Sequence, residues 1–229
     1  MVLGAAGGGP RGIDVDTPRV PVPSPKTRGR CLRCNKELAN AGMGRHLPSC
    51  VGEGPALHVA VDVGPGTWWM HLALRPTATL RDLDHFLRET WLECCGHLSV
   101  YEIEGTRFES YPDNEYGPRA RSMAAKAALV LRPGTTFTYE YDFGSTTTLR
   151  GRVLGHIAGG AAKVAILART DVILWPCEHC AGVATRICPY CGAVACASCP
   201  APCSCAHSFK EEHLPVVNSP RMGVCGYAG

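Results

Sequence analysis

Apolar and polar residues alternate with a period of two over 56–63, where Leu57, Val59 and Val61 oppose His58, Ala60 and Asp62. That is the period of a half-buried strand. Gly64-Pro65-Gly66 turns the chain, and 67–75 returns as a second strand with Trp68, Met70, Leu72 and Leu74 on one face and Trp69, His71 and Arg75 on the other. The period then lengthens. Leu80, Leu83, Leu87 and Trp91 fall three or four residues apart on one helical stripe, with Thr77 or Thr79 as N-cap and Gly96 as the stop. A strand is predicted over 97–105, loop over 106–120 around Tyr111-Pro112-Asp113-Asn114, and a short helix over 123–131 ended by Pro133-Gly134. The next alternation sets Phe137, Tyr139, Tyr141 and Phe143 against Thr136, Thr138, Glu140 and Asp142; 147–154 returns beside it, and 163–169 is a further strand. An aromatic face must be buried, and the stripe of Leu83, Leu87 and Trp91 is the partner available. The pattern predicts an α+β fold over 55–175: a central, mostly antiparallel sheet with packed helices, flanked by two small zinc-binding modules.

Composition adds the flanks. The chain has 229 residues, 45% hydrophobic and 19% charged, enough for one medium core with small satellites. Residues 1–30 are rich in Gly and Pro and lack the apolar run of a secretory leader, so they read as a flexible tail. No stretch reaches the roughly 18 apolar residues of a membrane helix. The expectation is a cytoplasmic protein without a membrane partner. A net charge of +3 is too small for a protein that coats DNA over its whole surface, but Arg11, Arg19, Lys26, Arg28, Arg30, Arg33, Lys36 and Arg45 make the N-terminal end basic.

Cysteine spacing carries the chemistry. Cys31-x2-Cys34, eleven residues, then His46-x3-Cys50 is the ligand spacing of a small zinc finger over 31–50, which folds only around its ion. Arg33, Lys36 and Arg45 make nucleic-acid contact one reading of it; a structural nodule is the other. Beyond residue 176, Cys177-x2-Cys180, Cys188-x2-Cys191, Cys196-x2-Cys199 and Cys203-x-Cys205 are followed by His207 and His213. Four half-sites imply two more ions, so three zinc ions are expected in all. Paired in order, Cys177, Cys180, Cys188 and Cys191 would form a zinc ribbon. Cys94, Cys95 and His97 sit together in a turn, but neighbouring residues there are expected to point apart, and buried cysteine commonly serves as a small hydrophobe. Glu140 and Asp142 read as a solvated polar face. The terminal run 218–227 mixes turn residues with Met222, Val224 and Tyr227, and is expected to dock on the core with Arg221 meeting Glu140, Asp142 or Glu93.

Two resemblances extend this reading. The C-terminal spacing resembles the cross-braced B-box and ZZ-type modules. That implies Cys177, Cys180, Cys196 and Cys199 around one ion, and Cys188 and Cys191 around the other with two ligands from Cys203, Cys205, His207 and His213. The runs TLRDLDHFLRETWLECCGHLSVYEIEG and PGTTFTYEYDFG, with NSPRMGVCGY after the module, resemble the plasmid pRiA4b Orf-3-like family in its zinc-bearing branch. Many of its members continue YDFG with Asp, Trp and His at alternate positions; here Ser145, Thr147 and Leu149 stand there, so a site built on that Trp and His is absent. The resemblance implies a compact α+β domain of undefined activity, with some members labelled transposition accessories. The expectation is a non-enzymatic zinc-binding protein, an accessory factor for nucleic acid or a protein partner, with no small-molecule substrate or catalytic residue identified. The alternative is an enzyme with a polar cleft drawn from Glu140, Asp142, His71, His97 and Cys95.

Overall fold

The computed structural model describes residues 27–50, 52–64, 66–112, 119–200, 203 and 213–229. The expected tail over 1–26, most of the expected 106–120 loop's tip at 113–118, and Cys205 and His207 lie outside them. The fold is α+β, built on a large, mostly antiparallel sheet with cysteine-rich clusters to either side.

The alternating segments form the centre of that sheet. Strand β3 (Pro55–Asp62) pairs with β4 (Trp69–Leu74) as the predicted hairpin, and on its other side with β9 (Thr147–Ala158). Strand β8 (Thr136–Tyr141) joins β9 to β5 (Ser99–Ile103). Beyond β4 lies β10 (Val164–Thr170). Strand β5 turns through Glu104 and Gly105, both at positive φ, into β6 (Thr106–Glu109), which pairs in parallel with β7 (Arg121–Ser122). The 106–120 stretch is therefore not all loop. Its strand escapes the alternation rule because only Phe108 of its four residues is both apolar and buried.

At the opposite edge the expected finger is woven into the sheet. Strand β1 (Arg28–Cys31) pairs antiparallel with β10 and with β2 (Glu37–Ala39), so the last residues of the predicted tail are strand. Gly29 is required there: a Cβ would stand 2.0 Å from the Arg169 carbonyl oxygen and 2.7 Å from the Trp69 ring.

Helix α2 (Leu80–Leu87) begins at Thr79, whose side chain accepts from the Asp82 N–H while Asp82 reaches back to the Thr79 N–H. It runs on as a π-helical turn, Arg88–Leu92, which keeps Trp91 on the buried stripe. Leu80, Leu83, Leu87 and Trp91 share one core with Tyr139 and Tyr141, as the pattern predicts. Tyr139 donates to the buried Asp84 of α2 at 2.8 Å, a polar pin between helix and sheet. The helix expected over 123–131 shortens to α3 (Ala127–Val130). A smaller core on the other sheet face joins Trp69, Ala73 and Ile157 to Met43 and Leu47 of the finger. The rest of that face is open: Thr136, Thr138, Arg150 and Arg152 point to solvent.

Strand β8 stops at Tyr141. Asp142 takes a left-handed backbone (φ 66), which breaks the alternation: Phe143 is turned out to 50% exposure and Asp142 is turned in to 5%. Asp142 is thus a buried ion-pair partner, not part of a solvated face.

Candidate metal centres

Four groups of Cys and His bring their donor atoms within 4.8 Å of one another, and among the described residues the cysteines are free thiols. A tetrahedral zinc with Zn–S near 2.3 Å sets its sulfurs about 3.8 Å apart, whereas a disulfide needs about 2.05 Å.

The first group is Cys31, Cys34, His46 and Cys50. Asn35 at φ 61 closes the knuckle, its N–H bonding to the Cys31 carbonyl oxygen. Helix α1 (Asn40–His46) delivers His46, and a 3-10 turn over Leu47–Ser49 carries the chain to Cys50. Cys31 and Cys50 sulfurs stand 3.7 Å apart, and His46 Nε2 lies 3.2 Å from Cys34 Sγ.

The second group is Cys177, Cys180, Cys196 and Cys199; the third is Cys188, Cys191 and Cys203. The half-sites thus cross over, and the order-of-sequence ribbon is not formed. Sulfur separations in the second group are 3.8 Å (Cys180 to Cys196) and 3.5 Å (Cys180 to Cys199). Backbone N–H groups of Cys196 and His179 point at Cys177 Sγ and lower its thiol to about 6. Cys188 falls to about 7 although burial opposes it, because backbone N–H groups of Cys191 and Tyr190 outweigh that cost. Strands β11 (Arg186–Ile187), β12 (Val194–Ala195) and β13 (Leu214–Pro215) form a small sheet of their own. Arg186 fastens it by donating to the Cys196 and Cys199 carbonyl oxygens. His213 is described but is not among the donors gathered with Cys188, Cys191 and Cys203.

The fourth group is one that cysteine spacing misses: Cys94, Cys95, His97 and Cys225. The adjacent thiols do not point apart. Their sulfurs are 3.6 Å from one another, and Cys95 Sγ is 3.7 Å from Cys225 Sγ. His97 Nε2 faces Cys95 at 2.9 Å and Cys225 at 3.3 Å, while its Nδ1 faces Asp142 Oδ1 at 3.5 Å. The signal available in the sequence was a remainder: eleven of the 14 cysteines fall in the finger and the C-terminal array, leaving these three.

Crowded sulfurs oppose one another's ionisation. One thiol in three of the groups is pushed up to about 12: Cys50 chiefly by Cys34, Cys199 by Cys196, Cys95 by Cys94. Such sets suit a cation that takes the place of the thiol protons.

The terminal segment is hydrogen-bonded to the helix and sheet. Ser219 donates to the Trp91 carbonyl oxygen at 2.6 Å, and Asn218 to that of Thr170 at 3.2 Å. Arg221 is fully buried and donates to Asp142 Oδ2 at 2.5 Å, Ser145 O at 2.8 Å and Thr147 Oγ1 at 3.1 Å. Of the carboxylates considered it meets Asp142. Asp142 is held below the usual carboxylate range: burial would raise it, but Arg221 and the Ser145 and Gly144 N–H groups outweigh that.

Of the residues considered for a polar cleft, Cys95, His97 and Asp142 come together, whereas Glu140 and His71 do not join them. His71 is buried with His58 at 2.9 Å and reaches Asn40 Oδ1 of α1 at 2.9 Å. A proton on each Nε2 satisfies that chain. Burial lowers His58 to about 4 and His71 to about 3, so both are neutral.

Among the described residues, no helix is long and apolar enough to cross a membrane. The sequence matches no family model and no curated protein. Among solved structures, the chain is similar to a protein of unknown function from Methanosarcina mazei Go1, with 17% identity, a TM-score of 0.40, and 51% of this chain and 69% of that one covered.

Proposed function

We propose that this chain is a zinc-dependent nucleic-acid-binding accessory protein, related to the pRiA4b Orf-3-like family it resembles, in which ions in the finger and the cross-braced module are structural. Where four protein donors surround a zinc ion, the tetrahedron is filled and no position is open for substrate. The partner is inferred from one juxtaposition. A Cβ on Gly44 of α1 would stand 3.2 Å from Leu154, and Leu154 continues the exposed row Arg150, Arg152 on β9. Helix α1, which carries the exposed Arg45, is therefore seated beside the row that bears the two arginines of the open sheet face. The same face holds a shallow depression of about 560 Å³, lined by Thr136, Thr138, Arg150 and Arg152 together with Asp62, Glu102 and Glu104. Arginines beside threonine hydroxyls suit a phosphate backbone.

Retention on duplex DNA should fall steeply between about 50 and 200 mM salt, and Arg45→Glu with Arg152→Glu should reduce the salt slope by about one per lost contact. Retention indifferent to salt and to both changes would remove nucleic acid as the partner and leave protein binding through the cross-braced module. A second reading has its own observation: Cys95, His97 and Asp142 are aligned as thiol, imidazole and carboxylate. The first reading is preferred because His97 Nε2 is shared between Cys95 and Cys225 and so is not reserved for one nucleophile.

A further inference from the structure

We propose that Cys94, Cys95, His97 and Cys225 form a fourth site for a thiophilic divalent cation, Zn2+ by its donor set, and that this ion fastens the terminal segment 218–229 to the sheet. Three independent observations meet there. The sulfur separations of 3.6 and 3.7 Å match the edge of a zinc tetrahedron and are far too long for a disulfide.

The surroundings are those of a metal site as well. A metal-bound imidazole ordinarily donates its other N–H to a carboxylate, and the Nδ1 of His97 faces the buried Asp142. Asp142 is fixed in turn by the Gly144 and Ser145 N–H groups and by Arg221. Arg221 Nη2 also stands 3.5 Å from Cys94 Sγ, where its charge offsets the excess of three thiolates over one divalent ion.

The backbone supplies the third observation. Cys225 sits at φ 49, between Gly223 at φ 78 and Gly226 at φ 70. A non-glycine residue adopts that region only when something holds it, and here the strain turns the thiol toward Cys95. When the ion enters, three metal–sulfur bonds and one metal–Nε2 bond form. Three thiol protons leave to solvent, and the imidazole stays neutral with its proton on Nδ1.

This site stands apart from the DNA reading, and its test is separate. Full-length protein loaded with Co2+ alone would be compared with Cys95→Ser/Cys225→Ser, both exposed positions outside any strand. Elemental analysis should find one ion fewer per chain, with a matching loss of sulfur-to-cobalt absorption. Amide exchange over 218–229 should quicken by about tenfold or more while the two cysteine modules keep their protection. Equal metal content in the two proteins, or unchanged exchange with one ion lost, would overturn the proposal in its binding or its fastening part respectively. Should the double variant not fold, His97→Asn/Cys225→Ser carries the same count. Loss of DNA retention in the Arg45 and Arg152 variants with metal content intact bears only on the nucleic-acid reading.

Discussion

The Cys177 group, four thiols, and the Cys94 group, three thiols and an imidazole, gather their donors equally closely, yet they are assembled in opposite ways. The first draws on residues 177 to 199, two Cys-x2-Cys turns facing each other beside a three-stranded sheet. The second joins the end of the helix after Trp91 to a residue 130 positions further on, and it exists only because the core has already brought the two together. A local site can order a module that lacks a core of its own. A distant one instead reports on, and reinforces, a fold that other forces build.

That contrast can be broken or sharpened by measurement. The largest expected effect is at the shared foundation: Trp91→Ala should cost about 3–5 kcal/mol in urea unfolding, since it empties the core beneath the distant site. Arg221→Met should cost a similar amount, about 3–5 kcal/mol, because it leaves the buried Asp142 carboxylate without its partner. The change should unfold the sheet and the terminal segment together, and two separated transitions would show that the segment is not part of the core's cooperative unit. Arg186→Met tests the local side. Its lost hydrogen bonds to the Cys196 and Cys199 carbonyls should cost about 1.5–3 kcal/mol, felt in the metal affinity of the module with the core's unfolding midpoint unchanged.

The most gradual effect belongs to the finger, which is local in its ligands but tied to the core through Asn40, His71 and His58. Both histidines have folded values depressed below their ordinary 6.5, to about 4 and 3, so unfolding takes up protons as the pH falls. Their stabilising contribution is complete above pH 6.5. It declines as the pH drops toward 4, by about 1.4 kcal/mol per pH unit for each histidine, and His58→Gln should flatten that slope in calorimetry at fixed metal loading.

The same contrast explains what could be read from the chain. Strands β3, β8 and β9 and the helix stripe were legible because each must bury one face against the main core, and burial imposes a period on 57–61, 137–141 and 80–91. The Cys-x2-Cys half-sites were legible because a knuckle fixes its own spacing. Strand β6 was not, since it pairs through its backbone with little apolar side chain to show for it. Nor was the end of β8: one left-handed residue at 142 exchanged the roles of Asp142 and Phe143, and a two-residue period cannot foresee a change of hand. The Cys94 group was hidden for a third reason. Adjacent cysteines diverge in a regular strand, but a turn after a π-helical segment allows both sulfurs to face one point, and the fourth donor comes from the far end of the chain.

One feature of the sheet bears on how this protein fails. Strand β10 has β4 on one side and, at Ala168, Arg169 and Thr170, the finger's β1 on the other, so the outer hydrogen-bonding groups of that end are covered only while the finger is folded. With an ion among its four donors, the finger would in turn depend on that ion. Loss of that ion would unmask residues 167–170, the C-terminal end of the strand VAILART, together with the Trp69 ring that Gly29 shelters. An uncovered strand of that composition is a template for pairing with another chain. Metal starvation should then produce self-association seeded at this edge well before the central sheet melts, which makes the finger a guard against aggregation whatever else it touches.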